Sequence, residues 1–190
     1  MHELIELENY ATENHIPIAR QKTVEYMISH FKKYKYNSFF EIGTAIGYTT
    51  LIMAKVFPKA RIVTIEHDLE RAVIAKENFK DFEVENNIQF IIDDATLFQT
   101  DEMFDLIFID AAKKKNQFFL DKFARNLNQG GTIIVDNMNL TDLWIKINVK
   151  KREKYNQINK EFKEYITSLK EFDVSIYDDI GDGIAVLIKK

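Results

Sequence analysis

An α/β fold built on a mostly parallel sheet is predicted by three observations. Short apolar runs and helical stretches alternate from about residue 38 onward, the pattern of strands joined by helical crossovers. The run at 106–110 is apolar at nearly every position, as a strand covered on both faces must be. The first run, Phe39-Phe40-Glu41-Ile42, passes through Gly43 and Gly47 directly into Leu51-Ile52-Met53-Ala54, a strand, tight turn and helix of the nucleotide-binding type.

Each element can be justified in order. Residues 3–14 read as a short helix that stops before Pro17. Residues 20–34 read as a second, with Val24, Met27, Ile28 and Phe31 at helical spacing. Strands are expected at 38–42, 61–66, 88–92, 106–110 and 132–136, the last entered through Gly130-Gly131. Helices at 49–57, 69–79 and 118–126 fall between them, and a long polar helix fills about 148–170. Strands at 173–177 and 184–189 close the chain around Gly181-Asp182-Gly183, a short turn that makes one of them antiparallel. The result is a seven-stranded, mostly parallel sheet with helices on both faces. The whole chain, 1–190, reads as one domain, with residues 1–36 as a helical lid or dimer contact. Right-handed crossovers place any ligand at the carboxyl ends of the strands.

Bulk properties narrow the function. The 190 residues are 46% hydrophobic and 29% charged, enough for one buried core. A net charge of -4 gives no global basic footprint for nucleic acid, though a local patch stays open. Without cysteine there is no disulfide and no thiolate metal site. The acidic start, Met1-His2-Glu3-Leu4-Ile5-Glu6, is unlike a signal peptide, and no apolar run approaches the ~20 residues that span a bilayer. No membrane partner and a cytoplasmic location are expected.

The residues that close the strands carry the chemistry. The loop after Glu41 lacks G-x-G-x-x-G and G-K-[ST], so it should seat a cofactor without phosphate, and an acid there can receive a cationic amine. Gly43 and Gly47 permit close cofactor approach, or serve as plain turn glycines. Thr44, Tyr48 and Thr49 lie at the helix entry, where free N–H groups can hold a carboxylate. Glu66, 25 residues after Glu41, suits a ribose diol. Asp94 can accept from an adenine amino group or cap a turn. Asp110, Asp136 and Asn137 are hard oxygen donors that suit Mg²⁺, or similarly Ca²⁺ or Mn²⁺, and not Zn²⁺; alternatively Asp110 serves the cofactor alone and Asp136-Asn137 is turn chemistry. Lys113 beside a dication would have a lowered pKa and can act as a base, or belong to a solvated turn with Lys114 and Lys115. The four histidines are scattered without ligand spacing.

Together these residues resemble a known family. Glu41-Ile42-Gly43-Thr44-Ala45-Ile46-Gly47-Tyr48 is similar to motif I of the class I S-adenosylmethionine (SAM) methyltransferases, nearest the cation-dependent O-methyltransferases that include the catechol and caffeoyl-CoA enzymes. Phe108-Ile109-Asp110-Ala111-Ala112-Lys113, Ile134-Val135-Asp136-Asn137 and Gly181-Asp182-Gly183-Ile184-Ala185 resemble that family's later signatures. The resemblance implies a Rossmann-like methyltransferase fold. It places Glu41, Gly43, Thr44, Tyr48 and Thr49 around the methionine part of SAM, Glu66 with neighbouring His67 at the ribose, and Asp94-Ala95 at the adenine. Asp110, Asp136 and Asn137 would carry the metal, and Lys113 would be the base. Tyr10-Ala11 and Ile16-Pro17-Ile18 further resemble bacterial tRNA 5-hydroxyuridine methyltransferases, which implies the wobble 5-hydroxyl of tRNA as acceptor; a small catechol or phenol is the alternative, and a non-catalytic SAM-binding module a further one. A tRNA acceptor needs basic surface, for which Lys32-Lys33-Tyr34-Lys35, Lys113–Lys115, Arg20 and the stretch from Lys146 to Lys154 are candidates. Two departures stand out: Asp93 replaces a glycine common before Asp-Ala, and no glycine follows Asn137 within Met138-Asn139-Leu140-Thr141-Asp142-Leu143-Trp144. A homodimer is a further expectation.

Overall fold

The computed structural model describes residues 2–139 and 149–190. Five parallel strands form first: β1 (Ser38–Ile42), β2 (Arg61–Glu66), β3 (Ile88–Ile92), β4 (Phe104–Ile109) and β5 (Leu127–Val135). The C-terminal pair β6 (Phe172–Tyr177) and β7 (Ile184–Lys189) completes a seven-stranded sheet of order β3-β2-β1-β4-β5-β7-β6. Only β7 runs against the rest, pairing antiparallel with both β5 and β6. The chain order reverses between β1 and β4, so the topological switch point lies at the carboxyl ends of those two strands.

Alternation along each strand divides the core into two layers. Phe39, Leu106, Phe108 and Ile134 face one layer, covered by the helices α1 (His2–Glu13), α2 (Gln21–Tyr34), α3 (Tyr48–Val56) and α4 (Leu69–Asp81), which contribute Leu7, Met27, Phe31, Leu51 and Phe79. Phe40, Ile42, Ile107, Ile109 and Val135 face the other, against α5 (Asn116–Phe123) and α6 (Val149–Ser168) through Phe119, Leu120, Phe123, Phe162 and Ile166. The first two helices therefore contribute to the core. Among the described residues no helix is long and apolar enough to cross a membrane.

Two boundaries differ from the sequence reading for physical reasons. Strand β5 does not begin after Gly130-Gly131 but runs through them, with a register shift between Phe104 and Leu106. Gly130 takes φ 73°, and its carbonyl accepts from the Tyr36 hydroxyl at 2.7 Å, so the glycines form a bulge inside the strand. Helix α5 begins at Asn116, directly on a single 3₁₀ turn over Lys113–Lys115. The expected loop 140–144 and Lys146 lie outside the described residues.

Candidate active site

The strand ends enclose a cleft of about 620 Å³, a size that suits a nucleoside-bearing ligand. One wall is the β1–α3 loop. Its backbone turns left-handed three times, at Gly43 (φ 102°), Ala45 (φ 48°) and Gly47 (φ 85°). Gly43 leaves no room for a side chain without a backbone shift, because a Cβ there would stand 2.3 Å from the Asp110 carbonyl oxygen. That approach brings the loop directly against the end of β4. Gly47 has a packing role: a Cβ would strike the Phe79 ring at 2.5 Å, so this glycine lets α3 pack on α4. Helix α3 opens without a side-chain cap, leaving the N–H groups of its first turn available to an anionic group.

Glu66 is 4% exposed, lines the cleft and organises the loop. Its carboxylate accepts from the Ala45 N–H at 2.8 Å, and from the N–H groups of His67 and Asp68 at 2.8 and 2.9 Å. Ala45, a non-glycine in the left-handed region, is thus pinned by the residue expected to hold a ribose. His67 Nδ1 lies 3.0 Å from the same carboxylate. Beyond β3, Asp94 and Ala95 also line the cleft. Asp94 accepts from the Thr96 N–H at 2.8 Å, which holds its carboxyl below the usual range.

Glu41, Thr44, Tyr48 and Thr49 are placed behind the wall rather than on its surface. Glu41 is 1% exposed and accepts from the hydroxyls of Thr50 and Thr64. Burial pushes its carboxyl up to about 7. The Tyr48 hydroxyl donates to Glu8 of α1, so this side chain docks the N-terminal helix, and the loop receives only its backbone.

The second constellation converges. One Asn137 amide nitrogen lies 3.1 Å from Asp110 Oδ1 and 3.2 Å from Asp136 Oδ2, so it bridges both carboxylates. Asn137 itself is left-handed, φ 64°, and Asn159 of α6 donates to its carbonyl at 3.3 Å. Burial, then the neighbouring Glu41 charge, pushes Asp110 up to about 7. Burial and Asp110 hold Asp136 well above the ordinary carboxylate range. Lys113 also lines the cleft; burial lowers its pKa, and the carboxylates of Asp182, Asp136 and Asp110 oppose that shift. Among the described residues no three His, Cys, Asp or Glu side chains group as a metal cluster; the donor set here is two carboxylates and one amide. That set fits a hard divalent cation. The two anions need a positive partner, and the amide, turned about its last bond, offers oxygen where nitrogen now stands.

Several wall residues were not singled out as ligands in the sequence. Arg71 of α4, Phe119 of α5 and Tyr155 of α6 all line the cleft, as does Pro17 between the first two helices. Pro17 was visible only as part of Ile16-Pro17-Ile18. The other three lie on helix faces where nothing local marks them. Arg20 is brought to the hairpin turn, its Nε 3.1 Å from both Asp182 oxygens.

The model of one protein family, described as O-methyltransferase, matches residues 1–190. The chain belongs to the O-methyltransferase family. A catechol O-methyltransferase of Niastella koreensis is 30% identical over 162 residues, spanning 79% of this chain and 72% of that protein. A catechol O-methyltransferase of Mycobacterium tuberculosis is 33% identical over 104 residues; the match spans 52% of this chain and about half, 46%, of that relative's length. Among solved structures, a Staphylococcus aureus protein provisionally assigned to the caffeoyl-CoA O-methyltransferases superposes with a TM-score of 0.88 at 26% identity, covering 98% of this chain and 92% of its own. The SAH-bound methyltransferase of Podospora anserina, at TM-score 0.82 and 24% identity over 98% of this chain and 87% of its own, shares the fold. Membership in the family fits the motif order read from the sequence, and the Rossmann-like sheet of its members is the sheet described above.

Proposed function

We propose that this O-methyltransferase family member transfers the methyl group of SAM to an ionised hydroxyl that has a second oxygen beside it, with a divalent cation at Asp110, Asp136 and Asn137. The observation that carries the reading is the meeting of two sites at one rim. The Gly43 loop and Glu66 wall lie against Asp110, whose carboxylate shares the Asn137 amide with Asp136. In this reading Glu66 holds the ribose, Asp94 and Ala95 border the adenine, and the uncapped start of α3 receives the methionine carboxylate. Asp110 and Asp136 would bind the cation through carboxylate oxygens and Asn137 through its amide oxygen. When bound, such a cation lowers the pKa of an acceptor hydroxyl and fixes its direction. Lys113 takes the hydroxyl proton at Nζ; the methyl leaves sulfur as its bond to the acceptor oxygen forms. The walls supply alignment, which can contribute up to ~7–11 kcal/mol in favourable cases.

The acceptor we propose is the 5-hydroxyl of 5-hydroxyuridine in tRNA, whose neighbouring carbonyl supplies the second oxygen. A basic rim supports it: Arg71, Lys113, Lys114 and Lys115 line the cleft, and the exposed Lys150, Arg152 and Lys154 open α6 beside Tyr155. The Lys32–Lys35 cluster does not contribute, because α2 ends at the amino side of the sheet, away from the cleft. A small catechol is the second reading, favoured by the catechol O-methyltransferases among the relatives. Mass spectrometry of tRNA nucleosides from a deletion strain separates them. Accumulated 5-hydroxyuridine with lost 5-methoxyuridine supports tRNA; an unchanged profile leaves the small acceptor.

A further inference from the structure

We infer that Thr50 and Thr64 are positioning residues that aim Glu41 at the α-ammonium group of the bound cofactor. The inference rests on the SAM reading above. Two hydroxyls from separate elements, Thr50 in the first turn of α3 and Thr64 in the middle of β2, converge on one oxygen, Glu41 Oε2, the latter at 2.7 Å. The network extends one step further. Thr64 Oγ1 lies 2.6 Å from Thr44 Oγ1, and since Thr64 gives its proton to Glu41 Oε2, Thr44 is the donor between the two threonines. All three threonines are buried, Thr50 and Thr64 at 0% exposure. Valine would fill the same space on a strand flanked by Val63 and Ile65 without burying a hydroxyl, so these hydroxyls answer a polar requirement.

That requirement is asymmetric. Both donors hold Oε2, and no donor among the described residues reaches Oε1. The other acids of the rim are satisfied differently: Glu66 by three backbone N–H groups, Asp110 by the Asn137 amide. Glu41 also feels the like charges of Glu66 and Asp110. A carboxylate fixed by neutral hydroxyls through one oxygen, surrounded by anions, and set immediately before the cleft-lining Ile42 and Gly43, is built to complete its shell with a cation. A ligand whose amino-acid end carries an ammonium supplies one. Thr50 and Thr64 act on that ligand only through Glu41, whose carboxylate they fix behind the wall of Ile42 and Gly43.

The test uses two ligands that differ in the ammonium-bearing arm: S-adenosylhomocysteine, which has it, and methylthioadenosine, which lacks it. Calorimetric titration of the full chain should give tighter binding of the former. Thr50→Val and Thr64→Val should each weaken S-adenosylhomocysteine binding about tenfold, the size expected for a hydrogen bond to a charged group, while methylthioadenosine stays within about twofold. Thr50→Ser and Thr64→Ser should restore the difference. Equal loss for both ligands, or no loss for either, overturns the inference and leaves the SAM reading standing. Wild-type protein that binds neither ligand overturns both. If a valine variant does not fold, Thr50→Ala carries the same comparison with the same two outcomes.

Discussion

Glu41, Asp110 and Asp136 are buried acids gathered at one end of the sheet, and each holds its proton more tightly than a free carboxyl. For Glu41 the consequence for stability has a definite sign. Its folded pKa of about 7 lies above the ordinary 4.5, so the folded chain binds more protons between those values. Its contribution is therefore fully present below about pH 4.5 and is lost as pH rises through 7. Glu41→Gln should match wild type at pH 4.5 and gain on it by roughly 1–3 kcal/mol at pH 8 without ligands, as read from urea unfolding. A constant difference across that range would mean Glu41 stays ionised in the folded chain. The Asp110–Asp136 pair leads to a prediction about binding. Cation binding must displace protons from acids held above the ordinary carboxylate range, Asp110 up to about 7, so Mg²⁺ affinity measured by titration should rise as pH goes from 6 to 8. Asp136→Asn should weaken that pH dependence and remove most of the affinity, with the remaining dependence coming from Asp110.

Single elements explain why these residues meet. Strand β1 buries all five of its residues, and the parity of the strand sends Phe39 into one layer and Phe40 and Ile42 into the other. The loop that follows succeeds because Gly43 lets it touch the β4 end. Gly43→Ala should destabilise the fold by about 2–4 kcal/mol, because it combines a positive φ with a backbone collision. Gly130→Ala, also at positive φ but with nothing within 4 Å, should cost only about 1 kcal/mol. Thermal unfolding of the two variants provides the comparison; equal losses would contradict the close approach. At this scale most of the architecture was legible in the sequence, since the strands are apolar runs closed by acids and the crossovers are helical. The β5 bulge was not, because Gly130-Gly131 has the composition of a turn, whereas the Tyr36 hydroxyl on Gly130 and the pairing of Leu127 with Phe104 help keep it in the strand. The placement of Glu41 behind the cleft was hidden as well: a strand-end acid announces its position along the sheet, whereas the depth of its side chain depends on Thr50 and Thr64.

Over the whole molecule, long-range contacts assemble the surroundings of Asn137. The hairpin turn reaches α2 through Arg20 and Asp182, 162 residues apart, and reaches the Asn137 loop through the Met138 and Asn139 N–H groups, which donate to the Gly183 and Asp182 carbonyls at 2.9 and 2.8 Å. Separations of that length leave no local pattern, so the three-sided wall could not be read from sequence, although each of its pieces could. The N-terminal helices carry Leu7, Ala11, Met27 and Phe31 in the same core layer as the sheet. Removing residues 1–36 should therefore yield a chain without cooperative unfolding by circular dichroism. A folded truncation would contradict that and favour residues 1–36 as a lid or dimer contact separate from the core. A tRNA acceptor would also make binding fall steeply with salt, because each phosphate contact releases counterions; a flat response would point to the small catechol.

The central claim is that a cation at Asp110, Asp136 and Asn137 acts beside a SAM site built by the Gly43 loop and Glu66. The measurement that reaches it most directly is methyl transfer from labelled SAM to 5-hydroxyuridine-containing tRNA and to a catechol, with Mg²⁺ or with EDTA, paired with SAM binding by wild type and Asp136→Ala. The account predicts transfer to one acceptor that EDTA and Asp136→Ala each reduce at least about a hundredfold, with SAM affinity nearly unchanged. Transfer that proceeds equally in EDTA, or a variant that loses SAM binding along with activity, would contradict it.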